Sequence, residues 1–124
     1  MKVLILAYEP EEEFARRDDQ ATDQAAFGAY MAPWKVYSES LNAAEVIAAG
    51  APLEKPHTAT VISVRDGDRH VQDGPYLDSK DQLGGYFLLD VPDMETATEW
   101  AAKCPAAATG HAEVRVIPDY GQEG

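Results

Sequence analysis

The feature that most restricts the fold is a run of six consecutive apolar residues, Val3 to Tyr8. A β-strand with one wet face alternates apolar and polar side chains, whereas a strand covered on both faces is apolar throughout. The run therefore predicts a central strand. The rest of the structure must supply a cover for each face of its sheet.

The size and charge of the chain limit its architecture and its partners. With 124 residues, 45% of them hydrophobic, it has room for one modest core, so we expect a single domain over residues 1–124. Its 22 acidic and 10 basic residues give a formal net charge of −12. Such a charge repels phosphate backbones and anionic lipid surfaces, so we expect neither nucleic-acid nor membrane partners.

A cytoplasmic location is the expectation from the cysteine content and the first residues. Cys104 is the only cysteine, so no disulfide forms within the chain. The apolar run is too short for the core of a signal peptide, and acidic residues follow it from Glu9 to Glu13.

A long helix is predicted after the acidic stretch that ends near Asp19. Apolar residues recur there every three or four positions, the spacing of one helix face. They are Phe27, Tyr30, Trp34, Tyr37, Leu41 and Ala44. We interpret this stripe as part of the core and not as a cofactor site. Pro33 crowds the carbonyl of Ala29, so the pattern allows either a kinked helix or two helices that meet there.

A β-hairpin is predicted over residues 58–73. Asp66 and Gly67 supply the positive backbone angles that a tight two-residue turn requires. The turn pairs Ile62 with Val71 and places the apolar side chains of the hairpin on one face.

A strand, a short helix and a last strand follow the hairpin. Tyr86–Leu89 is apolar, and Asp93 is the natural N-cap of a helix that Pro105 ends. The inner face of this helix should carry Met94, Ala97, Ala101 and Cys104. Glu113–Val116 alternates polar and apolar residues, as a strand with two unlike faces does.

This order of elements indicates an α+β, ferredoxin-like split βαβ fold with an added β-hairpin. Both helices then cover one face of the sheet, while the opposite face carries large side chains that no remaining element covers. We therefore expect a homodimer in which two sheets pack face to face and leave a pocket near the strand ends.

A segment in the second half of the chain is similar to a known family signature. It reads DGPYLDSKDQLGGYF at residues 73–87. LDVPD at 89–93, EWA at 99–101, CPAA at 104–107 and EVR at 113–115 follow in the family's order. On these residues the chain is identified as a member of the DGPF, or YCII-related, family. The resemblance implies a dimeric α+β barrel, frequent genomic proximity to alternative sigma factors, and no agreed biochemical activity.

The chain departs from the family pattern at a few positions. Tyr76 stands for the usual Phe, and Asp78, Ser79 and Asp81 stand for Glu, Thr and Glu. Some members of the wider YCII group carry a histidine early in the long helix that is thought to work with an aspartate. No histidine precedes His57 here, so we do not expect such a dyad.

Asp73 is the candidate catalytic residue. An Asp in a turn normally accepts a hydrogen bond from the backbone N–H two residues on, but that residue is Pro75, which has none. The carboxylate either braces the turn through the N–H of Tyr76 or is available for a ligand or a proton.

Six residues are candidates for ligand binding: Lys80, Ser79, Tyr86, Glu113, Arg115 and Tyr8. Lys80 suits a substrate carboxylate and Ser79 a hydrogen bond to it, unless the loop is simply solvated. Glu113 and Arg115 share the face proposed for the dimer, where an ion pair is the alternative. The two tyrosines are alternatively core rings, and the glycine pair at 84–85 permits close backbone approach or forms a strand bulge.

Metals and cofactors are not expected. His57 and His111 are predicted in loops with solvated imidazoles, and the three histidines and one cysteine have no metal-ligand spacing. Cys104 is interpreted as a buried, inert thiol. The sequence contains no glycine-rich phosphate loop and no dinucleotide fingerprint.

Three functions remain open on these grounds. The leading hypothesis is a homodimeric small-molecule-binding protein whose pocket lies between the sheets and is lined by Asp73, Lys80, Tyr86, Glu113 and Arg115. The second is a cofactor-independent enzyme in which Asp73 moves a proton on a small carboxylated or phenolic substrate. The third is a regulatory partner of a sigma factor, so whether the protein is an enzyme stays open.

Overall fold

The chain folds into six strands and five α-helices within residues 1–121, the part that the computed structural model describes. The strands are β1 Lys2–Pro10, β2 Ile47–Pro52, β3 Thr60–Arg65, β4 Asp68–Asp73, β5 Asp81–Asp90 and β6 His111–Val116. The helices are α1 Glu11–Ala15, α2 Asp19–Thr22, α3 Gln24–Ala43, α4 Met94–Lys103 and α5 Pro105–Thr109. Short 3-10 turns lie at Arg16–Asp18 and Pro56–Thr58.

Four strands form the main sheet in the order β2-β5-β1-β6, and every neighbouring pair is antiparallel. With α3 between β1 and β2 and α4 between β5 and β6, this is the split βαβ arrangement, and the predicted α+β, ferredoxin-like fold is confirmed. The apolar run lies in β1, which has a neighbour on each side as a central strand must.

The added hairpin is also confirmed, as a separate two-stranded sheet of β3 and β4. Asp66 and Gly67 have φ values of 52° and 81°, the left-handed geometry that the two-residue turn needs. Ile62 pairs with Val71 as predicted. Both side chains are exposed, at 59% and 60%, so the apolar face of the hairpin is not covered by residues 1–121.

The core lies between the main sheet and the helices. Val3 and Ile5 of β1 and Leu41 of α3 are fully buried, and each such aliphatic side chain stabilises the fold by about 1.5–3 kcal/mol. Tyr37 packs edge-on against Phe87 of β5, with ring centroids 5.1 Å apart, and its hydroxyl donates to a backbone carbonyl of α4. Residues 3, 5 and 7 therefore share the helix-side face, because strand side chains alternate.

Two predicted helix ends are confirmed in detail. The N-cap carboxylate of Asp93 accepts a 2.8 Å hydrogen bond from the backbone N–H of Thr96, and α4 ends before Pro105. Ala97, Ala101 and Cys104 are buried as expected. Met94 is 44% exposed, so its predicted place on the inner face was wrong.

Three further expectations need correction. The strand β2 was not predicted, because Ile47–Pro52 is rich in Ala and Gly and ends in Pro, all poor strand formers. The helix α3 continues through Pro33, so the alternative of two helices is wrong. His111 opens β6 instead of lying in a loop, and its Nδ1 lies 2.5 Å from a carboxylate oxygen of Asp81.

The opposite face of the main sheet, here called the outer face, is only partly buried. It carries Leu4, Leu6 and Tyr8 of β1, with Leu88 and Tyr86 of β5 paired beside the two leucines. All five of these side chains keep some exposure, whereas Val3, Ile5 and Ala7 on the helix side are buried. β1 is thus fully covered on one face only.

No helix within residues 1–121 combines the length and the apolar character that a bilayer crossing demands.

Candidate functional site

A buried carboxylate lies at the end of the central strand. The alternation that buries Val3, Ile5 and Ala7 places Glu9 on the same helix-side face, where it is only 2% exposed. A charged side chain is rarely buried to this extent unless it is paired and hydrogen-bonded, because leaving water costs several kcal/mol. Its partners therefore define the site.

Two side chains satisfy the Glu9 carboxylate. The Tyr30 hydroxyl of α3 donates to Oε1 at 2.8 Å, and Nη2 of Arg17 donates to Oε2 at 3.2 Å. Arg17 also donates to the backbone carbonyls of Leu53 and Gly84 and stacks on the Phe14 ring, 4.9 Å from its centroid. The guanidinium thus joins the ends of β1, β2 and β5 through charge-assisted hydrogen bonds.

Gly84 makes room for this ion pair. It sits at a bulge where the β1–β5 register shifts, between the pairs Ala7–Gly85 and Tyr8–Leu83. A Cβ on Gly84 would lie 2.5 Å from Oε2 of Glu9, closer than real Cβ contacts allow. The bulge and the close approach, given as alternatives for residues 84–85 by the sequence, occur together here.

A cavity of about 690 Å³ opens beside the ion pair, between α3 and the β2 edge of the sheet. Its α3 wall consists of Phe27, Tyr30, Met31, Trp34, Ser38 and Asn42. Its floor on β2 and β5 consists of Ile47, Gly50, Ala51, Pro52, Gly84, Gly85 and Phe87. The end beside the ion pair and the rim carry Glu9, Arg17, Asp18, Gln20, Leu53, Glu54 and Lys55.

The small residues of β2 leave this space open. A Cβ on Gly50 would lie 3.1 Å from the Phe87 ring, so the strand passes close to β5 without filling the gap below α3. The predicted stripe of α3 accordingly divides into two parts. Tyr37 and Leu41 are buried core, as expected, whereas the preceding turns face the cavity, which corrects the interpretation of the whole stripe as core.

The Tyr30 hydroxyl stays protonated at this site. Burial, assisted by the Glu9 carboxylate and opposed by Arg17, raises the pKa of Tyr30 from 10.0 to about 12. A neutral phenol is the form that donates to Glu9. At physiological pH the cluster is therefore a carboxylate held by one cation and one neutral donor.

Four of the seven predicted site residues lie on the outer face. Tyr86 and Glu113 flank Leu6 from opposite sides, and Tyr8 and Arg115 lie on the same face. Arg115 donates to Glu113 at 3.2 Å, the ion pair given as the alternative to a ligand clamp. The pKa of Tyr8 is raised, first by burial and then by the Glu113 carboxylate.

The other three predicted residues lie apart from both groups. Asp73 ends β4 and is exposed, and Ser79 and Lys80 lie in the exposed loop that leads to β5. The Ser79 hydroxyl donates to the Asp81 carbonyl at 2.8 Å, which braces the loop. None of the seven lines the cavity.

The sequence reasoning missed Glu9, Arg17 and Tyr30 as a unit. The signal for Glu9 was present, since it continues the odd-numbered, core-facing positions of the apolar strand. An acidic residue at such a position indicates a paired, buried charge. Arg17 carried no comparable signal, because it lies in a stretch that reads as a solvated acidic segment.

Within the described residues we find neither a metal site nor a reactive thiol. Among residues 1–121, no cluster of three or more His, Cys, Asp or Glu side chains is arranged to hold a metal ion. Cys104 is buried, and burial raises the pKa of its thiol, so it is a core residue as predicted.

Comparisons with known proteins bear on the family. A family model described as the YCII-related domain matches residues 1–119. An uncharacterized protein from Rhizobium meliloti (strain 1021) is 32% identical over 72 residues, which cover 56% of this chain and 58% of that protein. The chain thus spans less than two thirds of the length of that relative.

A solved structure also resembles the chain. It is a 5-chloro-2-hydroxyhydroquinone dehydrochlorinase from Burkholderia phenoliruptrix AC1100 in complex with 2,5-dihydroxybenzoquinone. The match covers 95% of this chain and 94% of that one, with 19% identity and a TM-score of 0.46. The family model, by contrast, spans nearly the whole sequence and agrees with the resemblance carried by residues 73–87, so the chain belongs to the YCII-related family.

Proposed function

We propose that the protein binds a small organic molecule in the cavity between α3 and β2, and that it does so as a homodimer. The observation that carries the proposal is the Glu9 carboxylate, buried and held by Arg17 and Tyr30 at the polar end of an otherwise largely apolar cavity. A few oriented polar groups within apolar walls are the usual composition of a ligand pocket.

The size of the cavity supports this reading. A volume of about 690 Å³ lies within the range of about 300–1,000 Å³ typical of small-molecule pockets. The space persists because β2 carries Gly and Ala where larger residues would fill it.

The hydrogen bonds that Glu9 already accepts favour ligand binding over proton transfer as the role of this site. Both oxygens of Glu9 already accept a hydrogen bond, one of them from a cation. The enzymatic alternative with Asp73 has no comparable support, because that side chain is exposed on the hairpin and does not line the cavity.

The homodimer is proposed from the outer face. Leu4, Leu6 and Leu88 form a partly exposed apolar surface at the centre of the sheet, and a second sheet packed against it would bury them. Tyr8, Tyr86, Glu113 and Arg115 would then lie at or near the contact between subunits. The pocket between the sheets remains a second, untested place for a ligand.

The test is a cavity-filling variant with a matched control. Ser38 lines the cavity and Ser40, on the same helix, is exposed and does not. N-phenyl-1-naphthylamine, a neutral probe that fluoresces in apolar sites, should bind the wild type and Ser40→Phe alike. Ser38→Phe should weaken its binding by about fivefold or more, because the new ring occupies its volume. Equal binding to all three folded proteins would contradict the proposal.

A further inference from the structure

We propose that the cavity is selective for charge and takes a flat aromatic amine in its cationic form, in preference to a carboxylated aromatic compound. The inference rests on the proposed function, because it names the class of ligand for the same cavity. It is carried by the charges that line the cavity and by the way they are already paired.

Five charged side chains line the cavity among the described residues, three carboxylates against two cations. Each cation is held by a carboxylate. Arg17 lies 3.2 Å from Glu9, and Lys55 lies 2.5 Å from Asp18. Glu54 takes part in no ion pair within residues 1–121, so the lining has an excess of one negative charge.

A carboxylated ligand would meet no free cation in this lining. Arg17 donates to Glu9 and to two backbone carbonyls, so an incoming anion would have to displace a charge-assisted hydrogen bond. Displacing it would leave Glu9 buried without its cation, which is costly. The formal charge of −12 on the chain adds a repulsion of the same sign.

An ammonium group meets the opposite situation. Glu54 is exposed at the rim, so the ammonium group of a ligand can approach its carboxylate. Phe27, Tyr30 and Trp34, on successive turns of α3, contribute aromatic side chains to one wall. Aromatic side chains stack on planar rings and attract cations.

The experiment compares three ligands of the same shape and different charge: 2-naphthylmethylamine, 2-naphthylmethanol and 2-naphthoate. Each is titrated into the ¹⁵N-labelled protein at neutral pH, and binding is followed by amide shifts of Gly50, Gly84 and Phe87. The amine should bind more tightly than the alcohol, and at least about fivefold more tightly than the acid. Added NaCl should narrow that ratio, because exposed charges at the rim are screened.

Two variants separate the local charge from the charge of the whole protein. Glu54→Gln and Glu99→Gln change the net charge equally, but only Glu54 lines the cavity. Glu54→Gln should lower the ratio of amine to acid affinity by about twofold to threefold, and Glu99→Gln should leave it unchanged. Equal effects of the two variants would overturn the assignment of the selectivity to the cavity lining.

The failures of the two proposals are distinguishable. If the acid binds at these amides as tightly as the amine, the charge selectivity is wrong and the cavity is still a ligand site. If none of the three compounds shifts these amides, the cavity does not bind aromatic molecules, and the proposed function fails together with the inference.

Discussion

The two faces of the main sheet differ in how far their apolar and charged side chains are buried. On the helix side, β1 presents Val3, Ile5 and Ala7 to a closed core and, near its end, Glu9, whose charge is matched within the chain. On the outer face, the same strand presents Leu4, Leu6 and Tyr8, which are only partly buried. The outer-face ion pair of Glu113 and Arg115 is largely exposed, with 43% and 70% of the two side chains accessible.

The comparison shows that burial, and not composition, decides what a charged group contributes. A buried pair is rigid and costly to break, whereas an exposed pair contributes about 0–1 kcal/mol and can be rearranged by a partner. The helix-side face is therefore where this chain alone builds a defined site. The outer face is where we propose that a second copy packs.

The largest expected effect is that of Arg17→Ala. The substitution leaves the Glu9 carboxylate buried without its cation, so the free energy of unfolding should fall by about 3 kcal/mol. Urea denaturation at pH 7 measures it. Arg69→Ala is the matched control, because Arg69 on β4 is exposed and makes no ion pair within residues 1–121, and it should cost less than about 0.5 kcal/mol.

A double variant tests whether Arg17→Ala loses stability because a charge is left buried or because side-chain contacts are lost. Replacing the pair by apolar residues, with Glu9→Leu and Arg17→Met together, should recover much of the stability that Arg17→Ala loses. Equal stability losses for Arg17→Ala and Arg69→Ala would mean that the helix-side pair contributes no more than an exposed arginine, and the contrast between the faces would disappear.

The next effect concerns the outer face. Leu6 lies between Tyr86 and Glu113 at its centre, so Leu6→Lys should place a charge in the proposed subunit contact. The dimer dissociation constant should rise by about thirtyfold or more, measured by light scattering after size-exclusion chromatography. Val36→Lys, at an exposed position of α3, is the control and should leave the mass unchanged. A wild-type protein that is monomeric at micromolar concentration would refute the proposed dimer.

A smaller effect is expected for Gly84→Ala. The added methyl group would lie 2.5 Å from Oε2 of Glu9 and 3.0 Å from the Phe14 ring, so the ion pair must shift. We expect a loss of about 1–2 kcal/mol in the free energy of unfolding. Gly28→Ala meets no atom within 4 Å on the exposed side of α3 and should instead stabilise the protein by about 0.5–1 kcal/mol. Urea denaturation should therefore show that the two variants change the free energy of unfolding in opposite directions.

The sequence predicts the fold well where local chemistry is decisive. The apolar run of β1, the Asp66-Gly67 turn and the Asp93 cap each depend on a few neighbouring residues, and each is found. The strand β2 depends on pairing with β5 across more than thirty residues. Its own small residues have little strand preference, so single-sequence reasoning could not find it.

The cluster around Glu9 is harder to predict from the sequence, for a related reason. Glu9, Arg17 and Tyr30 are brought together by a 3-10 turn and by the entry angle of α3, neither of which a periodic pattern encodes. The residues selected by family resemblance and turn chemistry lie on the outer face or near the hairpin instead. Their roles stay predictions.

The smallest expected effect compares one tyrosine from each face of the main sheet. Tyr30→Phe removes the 2.8 Å hydrogen bond to the buried Glu9 and should cost about 1 kcal/mol at pH 8. Tyr8→Phe, next to the exposed Glu113, should cost less than about 0.5 kcal/mol when both are measured in the Leu6→Lys background, which keeps the outer face in water.

The contribution of the Tyr30 hydroxyl to the free energy of unfolding should also depend on pH. Its pKa is about 12 in the folded chain and 10.0 in the unfolded one, so the unfolded state loses this proton first. The stability from the neutral phenol is fully present below pH 10 and is lost as the pH rises towards 12. The wild type should therefore lose its advantage over Tyr30→Phe progressively between about pH 10 and about pH 12, measured by urea denaturation. A difference that is constant with pH would show that the Tyr30 hydroxyl is not held neutral by the buried cluster.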